Sequence, residues 1–229
     1  MVSKKHTRYI MSNAEAKKLL PKYTLGEELC NSISHGLGAL FGIFVLITTL
    51  MKAEGAREIF SCTIYGAALI LLYSVSCVYH ALAPCVGKRV MQILDHCTIY
   101  LLIAGTYTPA ALIGVHNADQ KMAWVVFVLV WTLLVPAVVL TAVDMEKFSK
   151  VSMVFYIGMG WCIAIDFSAA IAGMGAVGFG FMLAGGIAYT IGAVIYGLGK
   201  KCRYMHSVFH VFVLIGSVLQ YISIIGYCM

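Results

Sequence analysis

The run with the clearest chemical content in this sequence is His206-Ser-Val-Phe-His210. Two imidazoles four residues apart project from one helix face, an arrangement that can ligate a single metal ion. His80 offers a third nitrogen from elsewhere in the chain. Three protein ligands with one place left for water is the pattern of a catalytic zinc site. Asp95 has two open roles beside such an ion. As a fourth ligand it would close the site and make the zinc structural. As a neighbour it would accept a proton from the ion's water, whose pKa falls to about 7 in such sites. Ser76 precedes His80 by one helical turn, so its hydroxyl can bond that water, Asp95 or a substrate oxygen. The alternative for Ser76 is a bond back to its own helix carbonyl. On a soluble helix the His-x-x-x-His spacing alone is weak evidence, and what gives it weight is the medium.

That medium is lipid. Of 229 residues, 61% are hydrophobic and 11% charged, against roughly 25% charged in ordinary soluble domains, and the mean hydropathy is +0.91. A soluble domain of this size has too little interior to hide so much apolar surface. A spanning helix needs about 20 apolar residues, and seven runs qualify, at about 33–51, 58–82, 92–114, 122–143, 152–172, 176–199 and 206–227. They do not alternate as barrel strands would. The expectation is an all-α, integral-membrane bundle of seven transmembrane helices over residues 32–229, preceded by an inner, interfacial segment 1–31.

Charge orients it. With the amino terminus cytoplasmic, thirteen of the sixteen Lys and Arg residues fall inside: Lys4, Lys5, Arg8, Lys17, Lys18, Lys22, Lys88, Arg89, Lys147, Lys150, Lys200, Lys201 and Arg203. Lys52, Arg57 and Lys121 fall outside. This obeys the positive-inside rule and puts the carboxyl terminus outside. The net charge of +6 is then a topology signal and a contact for anionic headgroups, not for nucleic acid. Residues 1–31 hold no apolar core of a signal peptide. Leu19, Leu20, Tyr23 and Leu25 suit either a short helix on the inner interface or a partly ordered tail. The eight cysteines form no CxxC pair and read as packing residues in a reducing setting.

Span direction brings His80, Asp95, His206 and His210 to one depth at the inner side, with His35 and His96 nearby. Ionisable groups there cost several kcal/mol on insertion scales, so each needs a reason. His96 is turned about 100° from Asp95 on its helix and suits packing. His35 can line the same cavity or bond a backbone carbonyl, the second being the simpler reading. Glu27 and Glu28 read as solvated interface charges. Asp166, toward the outside, pairs within the bundle or marks an outer cavity. Gly38 and Gly42 form a GxxxG, and Ala184, Ala188 and Gly192 recur every fourth residue, as close helix packing requires. Pro109 and Pro136 should bend their spans. No phosphate loop, nucleotide fingerprint, nucleophile elbow or inverted repeat is visible.

The segments Ser76-Cys-Val-Tyr-His80, Leu94-Asp-His-Cys-Thr-Ile-Tyr-Leu-Leu-Ile-Ala-Gly-Thr-Tyr-Thr-Pro109 and His206-Ser-Val-Phe-His210-Val-Phe-Val resemble the hemolysin III group. Glu27-Glu-Leu-Cys-Asn-Ser-Ile-Ser-His-Gly36 and Gly185-Gly-Ile-Ala-Tyr-Thr190 resemble it too. That group is the bacterial branch of the progestin and adipoQ receptor family. The resemblance implies seven helices, an inside amino terminus, a bacterial inner or plasma membrane location, and zinc on His80, His206 and His210 with Asp95 and Ser76 close by. The wider superfamily includes alkaline ceramidases, while bacterial members are described as haemolytic or as affecting membrane lipid balance. Three functions follow: a zinc-dependent hydrolase of a membrane lipid amide or ester, a sensor of membrane state with structural zinc, and a pore-forming cytolysin. No charged stripe suited to an ion path runs through the spans, which counts against the last.

Overall fold

The computed structural model describes residues 11–199 and 202–229, so Lys4, Lys5, Arg8, Lys200 and Lys201 lie outside the described residues. The described chain is helical throughout, with no strand. A short helix α1 (Asn13–Leu19) begins at a capping box, in which Ser12 and Glu15 each bond the other's backbone N–H. Its Ala16 and the following Leu20 are buried, so the amphipathic segment around Leu19 is a docked helix and not a loose tail. Thr24 and Glu27 form a second capping box and start α2 (Leu25–Lys52) well before the apolar run itself begins. Next come α3 (Gly55–Ala81), α4 (Val86–Pro109) and α5 (Gln120–Val143). The last three helices are α6 (Ser149–Gly160), α7 (Phe167–Leu198) and α8 (Met205–Ser223).

Six helical segments are long and apolar enough to cross a membrane: α2, α3, α4 with its extension to Asn117, α5, α7, and α8 with its extension to Cys228. Their outer faces carry exposed apolar side chains such as Leu40, Met51, Val139 and Leu198, the surface that lipid covers. The expected fifth span, 152–172, does not form one helix. Past α6 the chain tightens into a 3₁₀ turn (Cys162–Ile165), and Asp166 caps the start of α7 through the N–H of Ala169. Within α7, Gly175 holds φ 72° and ψ 160°, a non-helical corner that only glycine adopts at low cost. The chain doubles back around it. Trp161 Nε1 donates to Thr190 Oγ1 at 3.1 Å, and the rings of Phe167 and Phe179 lie 5.3 Å apart.

Small residues set the helix spacing. A Cβ on Gly38 would sit 2.5 Å from the Tyr73 ring, and one on Gly42 would sit 2.9 Å from the Ile70 backbone nitrogen. Of the four-residue repeat on α7, Ala188 and Gly192 are buried and Ala184 is half-buried. Hydroxyls fasten the interior: Ser217 Oγ bonds both Tyr73 and Tyr189 at 2.7 Å, tying α3, α7 and α8 together. Pro109 ends α4, and a turn of π-helix (Ala110–Gly114) follows, the wider winding that absorbs the irregular pattern proline imposes. At one end of the bundle, polar bonds join the loops. Asn13 accepts from Val86 N–H, Arg89 pairs with Glu146 at 2.7 Å, and Glu27 accepts from Tyr204 N–H at 2.8 Å. At the other end, Lys52 donates to the Ile225 carbonyl and Arg57 meets His116.

Candidate metal centre

His80 ends α3, while His206 and His210 occupy the first turns of α8. Their Nε2 atoms converge. His206 Nε2 lies 3.1 Å from His80 Nε2 and 3.1 Å from His210 Nε2. Ligand atoms of all three residues fall within 4.8 Å of one another, so they form a group able to hold a metal ion.

The outer nitrogens explain why the inner ones are bare. His80 Nδ1 lies 2.7 Å from Glu28 Oε2, and because a carboxylate only accepts, the proton is on Nδ1. Ser34 gives its hydroxyl proton to the Asn31 carbonyl and so receives one from His210 Nδ1 at 3.4 Å. Both imidazoles therefore aim an unprotonated Nε2 at His206. A single proton on His206 Nε2 cannot properly serve two lone pairs, whereas a cation serves three. Tetrahedral zinc, with Zn–N near 2.0–2.1 Å, places ligand nitrogens roughly 3.3 Å apart, close to the spacing present. The donor set fits a divalent ion of this kind, and Glu28 and Ser34 stand where outer partners would orient such ligands.

Glu28 is accordingly no solvated interface charge. It bridges His80 and the buried Lys88, whose Nζ sits 2.5 Å from Oε1 and also donates to the Leu82 carbonyl. Lys88 is thereby withdrawn from the headgroups. Glu27 is buried as well, serving as half of a capping box. Asn31, not singled out from the sequence, lies 3.4 Å from His80 Nδ1 and accepts from Ser207 Oγ at 2.6 Å. The signal that could have found these residues is their spacing. Glu28, Asn31 and His35 fall at i, i+3 and i+7 on one face of α2.

Asp95 and Ser76 line a cavity that His206 and His210 also border. Asp95 stands outside the close ligand group. Ser76 Oγ neighbours it, buried, without a well-formed hydrogen bond among the described residues. His96 keeps a packing role, with Nδ1 at 2.9 Å from the Gln92 carbonyl and Nε2 near Tyr196, yet it too borders the cavity. His35 lines the cavity, the first of its two expected roles, and neither ring nitrogen bonds a carbonyl among the described residues. Its ring instead stacks on His210 at 3.5 Å and meets Tyr73 edge-on. Asp166 is a helix cap far from this cluster, accepting from the Ser168 hydroxyl and the Ala169 N–H. On the α1 side the Tyr23 ring stacks over His206, 5.2 Å away at 18°, and burial raises its phenol pKa.

The cavity, open at its mouth, has a volume of about 120 Å³. Leu72, Ile99, Leu102, Ile103, Phe209 and Val213 give it apolar walls. On α4 it runs from Asp95 to Tyr107, about 18 Å along the helix axis.

Residues 23–221 match the family described as haemolysin-III related. The chain is 35% identical over 204 residues to Hemolysin-3 of Bacillus cereus, covering 88% of this chain and 91% of that one. It is 34% identical over 209 residues to the Hemolysin-3 homolog of Bacillus subtilis (strain 168), covering 90% and 96%. A more distant likeness, 25% over 214 residues, covers 90% of this chain and 86% of the monocyte to macrophage differentiation factor of Homo sapiens.

Proposed function

This chain belongs to the haemolysin-III related family, a multi-pass protein of the cell membrane, and from that premise we propose that it is a zinc-dependent hydrolase of a membrane lipid amide or ester. The observation that carries the reading is the convergence of the His80, His206 and His210 imidazoles, the last two bordering an apolar cavity whose wall also carries the Asp95 carboxylate and the Ser76 hydroxyl. His80, His206 and His210 would hold the ion. When bound, zinc supplies Lewis acidity toward an acyl carbonyl and toward water.

The protein's own groups do the rest. Asp95 takes a proton from the attacking water and returns it to the departing amine or alcohol, so that water adds across the acyl C–N or C–O bond. Ser76 offers its hydroxyl to the water or to the carbonyl oxygen. Glu28 and Ser34 keep the imidazoles turned toward the ion. The apolar walls receive the acyl chain and exclude bulk water.

The same reading takes the bundle as seven crossings with the amino terminus and metal end cytoplasmic. The stretch from Ser149 to the corner at Gly175 supplies the fifth crossing as a broken helix, supported by the Trp161–Thr190 and Phe167–Phe179 contacts that lay it beside the rest of α7. The joining of Asn13, Arg89, Glu146 and Tyr204 at one end supports a common side for the segments rich in Lys and Arg.

The test is bound zinc and fatty-acid release from labelled amide and ester lipids, using purified wild type, His210→Ala and Asp95→Asn. Zinc should be lost in His210→Ala, whereas Asp95→Asn should keep zinc and lose at least about a hundredfold in turnover. Wild type that holds zinc but turns over no lipid would instead make the ion structural and the protein a sensor. Chelator-insensitive conductance across bilayers would point to a pore.

A further inference from the structure

The far end of the cavity holds a polar group that the proposed chemistry does not use. Gln220 is only 9% exposed. It borders both the main cavity and a smaller chamber continuous with it, lined by Thr106, Ala110, Ile163, Met182 and Leu183. It falls on the stripe of α8 that carries His206, His210, Val213 and Ser217, at alternating steps of four and three residues. Its carboxamide therefore belongs to the same helix face as the metal group. Gly185 makes room for it, since a Cβ there would lie 2.6 Å from Gln220 Cγ.

The other polar groups at this depth are served from within the protein. Tyr107 donates to the Gly160 carbonyl at 2.8 Å and accepts from Ile163 N–H at 2.9 Å. Thr106 bonds the Leu102 carbonyl, and Trp161 bonds Thr190. Gln220 alone among them forms no side-chain hydrogen bond among the described residues; its carboxamide is not sealed in the core but faces the cavity, where it can both donate and accept. A carboxamide facing apolar walls gives up hydrogen bonds it would keep in water, so one set in such a cavity calls for a counterpart.

We propose that Gln220 is a second polar subsite, which selects a lipid tail carrying a hydroxyl along its length. This rests on the reading of the cavity as the seat of an acyl chain. Gln220 lies ten residues beyond His210, so the hydroxyl sits about 15 Å from the metal end along the axis of α8. A tail without that group leaves the carboxamide bare, and the site discriminates against it.

The experiment is direct binding to the zinc-loaded, detergent-solubilised full chain, without turnover. The probes are a mid-chain hydroxy fatty acid and its unsubstituted parent of equal length. Wild type should bind the hydroxy acid at least about tenfold more tightly. Gln220→Met keeps the side chain's length while removing donor and acceptor, and should abolish the preference with zinc content unchanged. The wild-type comparison stands by itself if that variant is unstable. Equal binding of both acids by wild type would show that water satisfies Gln220, and would overturn the subsite while leaving the cavity as a tail site. Binding of neither acid would overturn the subsite together with the lipid reading on which it rests.

Discussion

Replacing Glu28 with Gln keeps the side chain's shape and removes the charge that joins His80 Nδ1 to Lys88 Nζ. The amide can turn its NH₂ toward His80, which favours the tautomer whose Nε2 carries the proton and cannot ligate. We expect Glu28→Gln to weaken zinc affinity by about 10–100-fold, measured by competition with a calibrated chelator, and His80 to be the ligand whose loss it most resembles. The three histidines, Asp95 and Ser76 were legible in the sequence because polar groups inside apolar runs stand out against their surroundings. Glu28 and Asn31 were not, because they precede the apolar run and look like ordinary interface polarity until α2 is known to start at Leu25. His35 lines the cavity, as one of its two readings allowed, but nothing in one sequence reveals that its ring lies flat on His210.

At the scale of the element, the weak point is Gly175. A Cβ there would meet nothing within 4 Å, so any cost of Gly175→Ala is backbone strain alone. With φ 72° and ψ 160° that cost should be about 1–3 kcal/mol, visible as a lower midpoint of thermal unfolding in detergent. Gly175→Asn should fare no better, because asparagine tolerates the left-handed helical region and not this extended one. Run lengths located α3 and α5 to within a few residues, but they began α2 and α4 too late and hid the division between α6 and α7. Hydropathy continues unbroken through Trp161-Cys-Ile-Ala-Ile165, and it does not register whether a segment winds as an α-helix or a 3₁₀ turn. The cap at Asp166 was the available sign, an acid followed three residues later by the N–H it accepts.

For the whole molecule, orientation is open to a chemical test on native side chains. Cys30 and Cys202 are exposed at the metal end of the bundle. With that end cytoplasmic, an impermeant maleimide should leave both unmodified in intact cells and reach them after permeabilisation. A cysteine introduced at the exposed Ala118, at the opposite end, should label in intact cells. The reverse pattern would turn the bundle over. Tyr23 adds a matter of time to this geometry. Its ring covers His206 from the α1 side, so an ion held by the three imidazoles leaves in that direction only when the link between α1 and α2 lifts. The dwell time of the ion then reports the opening rate of a peptide segment as much as the strength of three metal bonds. Tyr23→Ala should speed chelator stripping several-fold while the equilibrium zinc content stays the same, a kinetic latch separable from affinity.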